Sequence, residues 1–486
     1  EKEKVQWVYP REILVRLEGL YTTLTPDDPI DRMAWLFSYH IERPTEVSGD
    51  WQEDRDKTDA AQSNAAETLA ALDFDALIAA LNKFGNHRLL GYRLGRSTAA
   101  AKLEPTLLPR YAASANDRER ELVRGFSTAR YETDSSAFLG RWCSLESSDF
   151  AGEQGAATIF QGLPATPEIW DAVEAAGPAC HQLFWKEAYM HLFDRPREAE
   201  RAARNLLSVG RALSAIDLLA ANGKAGWLAG EGDVALVVDA LKVGVAEANA
   251  NPEGGQRVAY DIARLIKALA ESKRLEIGEL MHLEWIYFGV LEHQAQHNLV
   301  IYEHLIKDPE LLLQLIALIY IPEGESREGR PEPSEAERAA ATQAWRILHD
   351  WKPFARTAPE AVPTVEELAA IVERVRRLAA ERRHTRIVDV DLGRALASCP
   401  TGVDGVWPHE SVREVMERYN SEQLAEGFCI GKRSLRGVTS RSPGDGGAQE
   451  RQLATEYEGY QRALSVTYPR TSALLGRLAE QYRSDG

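Results

Sequence analysis

Apolar residues recur along most of this chain at steps of three and four, the spacing that places them on one face of an α-helix. Residues 364–383 show the pattern most clearly. The segment opens with Thr364 and Glu367, a capping box in which each side chain can satisfy the backbone N–H of the other. Its apolar positions follow at Val365, Leu368, Ile371, Val372, Val375 and Leu378. This spacing predicts one amphipathic helix with a buried stripe.

Helix starts of the same kind occur elsewhere in the sequence. Ser334 and Glu337 form a second capping-box pattern. Three more starts are marked by a capping residue directly before a proline, because proline at the first helical position gives up no hydrogen bond. They are Thr25-Pro26, Thr166-Pro167 and Asp308-Pro309. These starts predict that helices dominate the fold.

Residues that favour β-strands cluster in only two short stretches, 386–390 and 437–440. Helical pairs, in contrast, can be drawn within residues 202–221 and at 453–464 with 474–482. Stacked pairs are how helical solenoids bury faces that no single pair can cover. The sequence therefore predicts an all-α fold, an irregular array of helical hairpins similar to TPR and HEAT solenoids, with a few short β segments in the C-terminal region.

The chain is longer than one simple core requires, with 486 residues. Its clearest linker is residues 322–334, which are rich in Pro, Glu and Gly and cannot bury enough apolar area to order themselves. We divide the chain into an N-terminal helical region at 1–200, a central helical-repeat core at 201–321 and a C-terminal helical region at 335–486. The last region includes a loop rich in glycine and arginine.

Composition narrows the possible functions. The formal net charge of -17 argues against general coating of nucleic acid, because neutralising phosphates requires a surplus of Lys and Arg. The longest apolar run, 311–321, is shorter than the roughly 20 residues that cross a bilayer, so no membrane span is predicted.

The cysteines and the first residues of the chain bear on where the protein is found in the cell. No two cysteines form a C-x-x-C pair, which predicts neither a zinc cage nor a disulfide framework and fits the reducing cytoplasm. The chain begins at Glu1 without an initiator methionine, a signal peptide or a transit pattern. We therefore interpret it as a piece of a larger protein.

Candidate catalytic chemistry is sparse. His293 and His297 have the helical spacing that lets two imidazoles hold zinc, but Gln294 stands where a metalloprotease has its glutamate base. Packed or exposed polar positions are the alternative for both histidines. No nucleophile elbow and no carboxylate pair at a diagnostic spacing appears. The sequence thus predicts no catalytic residue, metal or cofactor, and it favours a function other than catalysis.

Residues 427–451 form the most unusual segment of the chain. Its glycines and Lys432 resemble a phosphate-binding loop, but only three residues separate the two glycines, and Arg433 stands where Ser or Thr should bind magnesium. The segment also follows a predicted helix at 411–425 instead of a strand. We therefore interpret Gly427 as the C-terminal stop of that helix.

The cations of this segment support two interpretations. In the first they form an anion or phosphate pocket together with the backbone N–H groups of the next helix start. The candidate pocket residues are Lys432, Arg433, Arg436, Arg441 and Arg451. In the second interpretation the segment is a solvated connector whose arginines pair with nearby acids. Those acids are Glu422, Glu426 and Glu450.

Trp407 is a candidate partner-binding residue. It lies in the turn-forming stretch 404–409, directly before a helix predicted to begin at Glu410. An exposed tryptophan here would anchor a binding partner, whereas a buried one would pack beneath the helix start. Both interpretations remain open from the sequence.

The C-terminal run 389–483 resembles a known group of proteins. The resemblance rests on Leu392-Gly-Arg-Ala-Leu, Asp404-Gly-Val-Trp-Pro, Arg436-Gly-Val-Thr, Gly446-Gly-Ala-Gln-Glu-Arg451 and Tyr468-Pro-Arg-Thr-Ser. These elements are similar to the helical tail of large bacterial proteins, some of which carry an ATPase-type or other effector module implicated in antiphage defence. The resemblance implies a cytoplasmic sensor or scaffold and assigns no catalytic residue.

Two functions follow as expectations. The first is a non-catalytic helical-repeat recognition or scaffold segment that binds a protein partner or an adjoining effector domain and no membrane. The alternative is an enzyme or switch that responds to a nucleotide or nucleic acid through the basic, glycine-rich loop at 427–451.

Overall fold

The computed structural model describes residues 10–41, 51–190, 192, 195–223, 226–292, 299–326, 328–355, 357–437 and 446–485. Throughout these ranges the chain is all-α and no β-strand occurs, as predicted for the fold class. The prediction of a strand at 386–390 is wrong. Val388 is buried and lies one turn before the buried Leu392, so packing of a helical stripe overrides the β preference of these residues. Most of the second predicted strand, 438–440, lies outside the described residues.

The chain forms two compact units, Glu1–Asp261 and Ile262–Gly486. The first unit contains α1 (Arg11–Leu24), α2 (Pro29–Met33), α3 (Trp51–Ala70), α4 (Phe74–Ala79), α5 (His87–Gly95), α6 (Ala100–Tyr111), α7 (Asp117–Thr133), α8 (Ser135–Trp142), α9 (Gly152–Gln161), α10 (Pro167–Ala175), α11 (Pro178–Glu187), α12 (Pro196–Ser208), α13 (Ala212–Asn222), α14 (Val234–Ala250), α15 (Pro252–Arg257) and the start of α16 (Ala259–Ser272). The division between the units falls inside the central region that the sequence predicts at 201–321, and the three-region scheme stays a prediction.

The second unit continues from α16. It contains α17 (Ile277–Ile286), α18 (Phe288–Leu291), α19 (Val300–Lys307), α20 (Pro309–Ile319), α21 (Glu335–Asp350), α22 (Val365–Glu381), α23 (Thr385–Leu396), α24 (Glu410–Arg418), α25 (Glu422–Ser434), α26 (Ala448–Leu464) and α27 (Pro469–Asp485). The predicted linker at 322–334 separates α20 from α21 and carries no helix in its described part. Part of it is nevertheless anchored, because the backbone N–H of Glu323 donates to the carbonyl of Arg383 at 2.6 Å.

Helices α5 to α11 of the first unit pack in two rows. In one row α5 contacts α7, α7 contacts α9, and α9 contacts α11. In the other row α6, α8 and α10 each contact a helix of the first row that adjoins them in the chain. The largest fully buried side chains of this part come from both rows. They are Phe126, Trp142, Phe160, Trp170 and Trp185.

Glycines bring α5 and α7 into backbone contact. A Cβ atom built on Gly91 would stand well inside 3.0 Å of the carbonyl oxygen of Leu122, and one built on Gly125 would meet the carbonyl oxygen of Arg88 in the same way. Phe126, next to the second glycine, is fully buried. Only a residue without a side chain allows this approach.

The second unit repeats this arrangement between α23 and α25. A Cβ atom on Gly393 would stand well inside 3.0 Å of the carbonyl oxygen of Leu424, and one on Gly427 would meet that of Val390. Phe428 follows the second glycine and is fully buried. Gly427 is thus an interior residue of α25, and its interpretation as a helix stop is wrong, because close helix packing and not chain reversal requires the glycine here.

The start of α19 is capped by a residue from another helix. The two carboxylate oxygens of Glu284, in α17, accept hydrogen bonds from the backbone N–H groups of Val300 and Ile301, each at 2.8 Å. These are donors that a helix start otherwise leaves unsatisfied, and α19 has no side-chain cap of its own. Burial raises the pKa of Glu284 to about 7, although both hydrogen bonds favour the charged form.

We expect the free energy of unfolding to fall as the pH rises from about 4.5 to about 7. In this window folded Glu284 keeps a proton that the unfolded chain releases, so rising pH favours unfolding, by about 3 kcal/mol in total. Urea unfolding at several pH values measures the slope. Burial also raises the pKa of Asp391, to about 6, which adds a slope of the same sign at lower pH.

Glu284→Gln should make this slope shallower, because the amide does not titrate. The control is Glu276→Gln, since Glu276 is exposed and its side chain makes no capping hydrogen bond. That variant should keep the slope of the parent protein. An unchanged slope in Glu284→Gln would show that Glu284 is not the group responsible.

Candidate functional site

The predicted anion-binding residues do not lie together in a loop. Lys432 and Arg433 are in the last turn of α25, which continues past the predicted stop, and Arg436 follows two residues after that helix. Arg451 is in the first turn of α26. Arg441 falls within residues 438–445, outside the described residues.

Two of these arginines are paired with carboxylates. Arg433 Nη2 lies 3.0 Å from Asp485 Oδ2. Arg436 Nη1 lies 2.8 Å from Oε1 of Glu450, a carboxylate that is 1% exposed. Arg436 also donates from Nη2 to the side chain of Gln449, at 3.2 Å. One contact of the connector interpretation, an arginine paired with Glu450, is thus present at Arg436, although the pair is buried and not solvated.

The remaining described cations are also engaged. Lys432 Nζ lies 4.1 Å from the centroid of the Trp407 ring, a cation–π distance, and burial lowers the pKa of this lysine. Arg451 donates from Nη1 to the carbonyl oxygen of Gly446 at 2.6 Å. The described cations of this segment therefore contact four different partners: the Trp407 ring, the carbonyl of Gly446, Asp485 and Glu450. They do not form a shared anion pocket.

Trp407 is a core residue. It is 3% exposed, and its Nε1 donates to the carbonyl oxygen of Cys399 at 3.0 Å. Its ring centroid lies 5.2 Å from that of Phe428 and 5.8 Å from that of Tyr457. The expectation of an exposed anchor is therefore corrected: the side chain is buried, and its ring contacts are Phe428 of α25 and Tyr457 of α26.

Arg413 holds the stretch that positions Trp407. Its guanidinium is 1% exposed and binds Asp404 in a bidentate pair, with Nη1–Oδ2 at 2.6 Å and Nη2–Oδ1 at 2.9 Å. Nε donates to the carbonyl of Pro408 at 2.6 Å, and Nη2 also donates to the carbonyl of Val406. This pairing lowers the pKa of Asp404 to about 2. Residues 404–408 are thus held by a buried arginine.

Metal and thiol chemistry find little support in the described residues. His293 and His297 lie outside them, and within them no three His, Cys, Asp or Glu side chains are grouped to hold a metal ion. All four cysteines are free and buried. Burial raises the pKa of the thiols of Cys180 and Cys399 to about 12 and about 11, which leaves them protonated and weakly nucleophilic near neutral pH.

The strongest candidate for recognition is a surface that the sequence pattern did not single out. Helix α1 is 14 residues long and contains no buried residue. Six apolar side chains on one of its faces are between 40% and 76% exposed. We call this set the α1 face: Ile13, Leu14, Leu17, Leu20, Tyr21 and Leu24. Contiguous apolar surface of this kind marks a binding site more often than scattered apolar residues do.

Comparison with known proteins adds no further assignment. Neither a family model nor a curated protein nor a solved structure matches the chain. Among the described helices, none combines the length and the apolar character needed to cross a membrane. A function must therefore be inferred from the contacts and exposure of this chain's own residues.

Proposed function

We propose that this chain is a helical-repeat recognition segment that binds a protein partner through the α1 face. The single observation that carries the proposal is a complete helix whose apolar side chains are left in contact with solvent. Each apolar side chain of this size gains roughly 1.5 to 3 kcal/mol on full burial. A partner that covers the α1 face therefore gains enough to hold it.

The repeat character of the proposal is supported by the packing within each unit. The two rows of α5 to α11 resemble the layers of a helical solenoid, in which each repeat contacts its neighbours. The glycine pairs add an internal repeat: Gly91 and Gly125 are 34 residues apart, as are Gly393 and Gly427 (91 to 125 and 393 to 427). Each pair makes the same backbone approaches and is followed by a buried phenylalanine.

The spacing of the α1 face favours a helical groove as the binding surface of the partner. Ile13, Leu17, Leu20 and Leu24 follow at steps of four, three and four, which gives a straight apolar seam along the helix. Amphipathic helices with such seams bind in apolar grooves between the helices of a partner. The groove would also contact the flank of the seam that carries Leu14 and Tyr21.

A second copy of this chain and a lipid surface fit the α1 face less well. Fourteen residues provide only two heptads, fewer than the about three to four that sustain a coiled coil. Helices that bind anionic membranes carry a polar face rich in Lys and Arg. In α1 the two arginines, Arg11 and Arg16, are balanced by Glu12 and Glu18.

The resemblance of residues 389–483 extends this proposal to a sensor or scaffold of a larger bacterial protein of antiphage defence, placed in the cytoplasm, where free thiols persist. The alternative, a nucleotide-responsive switch at 427–451, receives no support from the described contacts. Its described arginines already have partners within the chain.

Site-specific photo-crosslinking tests the proposal. A photoreactive amino acid is placed at Leu20, in the α1 face, or at Thr22, on the opposite side of the same helix, and the protein is irradiated in the cells that make it. We expect position 20 to form an adduct with one helical protein, identified by mass spectrometry, and position 22 to form none. The purified partner should then bind the full chain.

The matched substitutions decide whether the α1 face carries the binding. Leu17→Glu should weaken binding of the purified partner at least about tenfold, because it places a charge in a seam that the partner would bury. Thr22→Glu should leave affinity unchanged. Adducts with another copy of the chain or with lipid, equal labelling at both positions, or no adduct at position 20 would each overturn the proposal.

A further inference from the structure

The first unit contains a cavity with a mixed lining of charges. Its volume is about 420 Å³, within the range of sites that bind small ligands. One wall comes from the first turns of α13, where Ser214 and Asp217 share a helix face. The lining also includes Glu247 in the last turn of α14, together with Arg257 and Asp261. Tyr189, which is 76% exposed, lies at the rim.

Two charged side chains of this cavity, Arg211 and Glu247, make hydrogen bonds to the backbone of the protein. Arg211 donates to the carbonyl oxygens of Trp185 at 3.0 Å and Ala188 at 2.6 Å, and burial lowers its pKa. Glu247 Oε2 accepts the backbone N–H of Leu213 at 2.9 Å and so satisfies the start of α13. Substitution of either residue would disturb the fold.

Asp217 and Arg257 are different: both are exposed to solvent, and the side chain of neither makes a hydrogen bond or an ion pair with another described residue. A carboxylate and a guanidinium thus line one cavity without neutralising each other. Three lining side chains are acidic (Asp217, Glu247 and Asp261) and two are basic. Because only Asp217 and Arg257 lack such a contact, a ligand with a carboxylate at one end and a cation at the other would pair with both.

We propose that the cavity binds a basic α-amino acid, either free or as the last residue of a peptide. The carboxylate of the ligand pairs with Arg257, because a guanidinium binds a planar carboxylate through two parallel hydrogen bonds. The cation of the ligand side chain pairs with Asp217 and lies near the ring of Tyr189. This site is independent of the α1 face, so either proposal can fail alone.

Isothermal titration of the full chain with three related ligands tests the two ends of the site. L-arginine carries both charges, agmatine lacks the carboxylate, and L-citrulline lacks the side-chain cation. We expect L-arginine to bind at least about tenfold more tightly than either analogue, since a lost charge-assisted hydrogen bond costs about that factor. An acetylated peptide that ends in arginine shows whether a peptide end also enters.

Two variants separate the roles of the two free charges. Arg257→Gln should abolish the preference for L-arginine over agmatine and keep the preference over L-citrulline. Asp217→Asn should have the reverse effect. Asp239→Asn, at an exposed position of α14 outside the cavity, should change neither. Because binding is compared between ligands for each variant, a uniform loss of folded protein would not imitate this pattern.

The proposal is overturned if neither L-arginine nor the peptide binds at about 10 mM, a concentration at which a ligand of this size should saturate a specific site. Equal binding of L-arginine and L-citrulline by the parent protein would also overturn it. The proposal is also overturned if Arg257→Gln and Asp217→Asn each lose the preference for L-arginine over both agmatine and L-citrulline. The two charges would then not act at separate ends of one ligand.

Discussion

A single methyl group at Gly125 or Gly427 is expected to destabilise this protein by about 3 kcal/mol, near the upper end for an overpacked core. At both positions a Cβ atom would stand well inside 3.0 Å of a carbonyl oxygen on the partner helix. Backbone atoms cannot move aside as a flexible side chain can, so the two helices must separate. Separation then loosens the packing of the fully buried Phe126 or Phe428. Urea unfolding of Gly125→Ala and Gly427→Ala measures the loss.

The chain offers a matched control for each substitution. Gly140 and Gly459 also lie inside helices, α8 and α26, but nothing stands within 4 Å of a Cβ atom at either position. Gly140→Ala and Gly459→Ala should stabilise the protein by about 0.5 to 1 kcal/mol, because alanine loses less backbone entropy than glycine in a helix. If Gly125→Ala and Gly427→Ala behave like these controls, the helices do not approach as described.

Local chemistry made four of the five helix starts predicted from caps correct. Both predicted capping boxes, at Ser334 and Thr364, are confirmed with reciprocal hydrogen bonds. Helices also begin at Pro167 and Pro309, as predicted. Such starts are readable because a cap involves residues only two or three positions apart.

The predicted start at Thr25-Pro26 is wrong for a similarly local reason. Thr25 is instead the residue that ends α1, since its backbone N–H donates to the carbonyl of Tyr21 at 2.9 Å. The next helix begins at Pro29, where the side chain of Asp28 accepts the backbone N–H of Ile30 at 2.9 Å. Two cap-then-proline patterns occur three residues apart, and the second one starts the helix.

Features that depend on distant residues could not be predicted in this way. In the sequence, the apolar spacing before Gly427 fits a helix that ends at this glycine as well as one that continues through it. The close approach of Gly427 to Val390 of α23 explains why a glycine is needed inside the helix. The burial of Trp407 depends on Phe428 and Tyr457, which are far along the chain. The apolar spacing of residues 13–24 is that of an amphipathic helix. Whether another helix covers the α1 face depends on the tertiary structure alone.

Asp404→Asn is the second substitution for which we expect a large effect, a loss of about 2 kcal/mol near neutral pH, less than for a fully buried pair because the Asp404 side chain is 45% exposed. The reason lies in the partner, not in Asp404 itself. Arg413 is 1% exposed, and without the carboxylate its charge stays buried, with the carbonyl oxygens of Pro408 and Val406 as its remaining described hydrogen-bond acceptors. Removing one member of such a pair costs more than the pair contributes, because the remaining ion is uncompensated. Thermal unfolding of the variant and the parent protein gives the difference.

The exposed ion pair between Arg433 and Asp485 provides the control, because a solvated pair of this kind contributes about 0 to 1 kcal/mol. Asp485→Asn should therefore have little effect. The pH dependence adds a second test. Asp404 has its pKa lowered from 3.8 to about 2, so the stability it contributes is fully present above pH 3.8 and is lost as the pH falls through 2. Asp404→Asn should lack this loss of stability at low pH. If the variant loses stability below pH 3.8 as the parent protein does, the bidentate pair does not form.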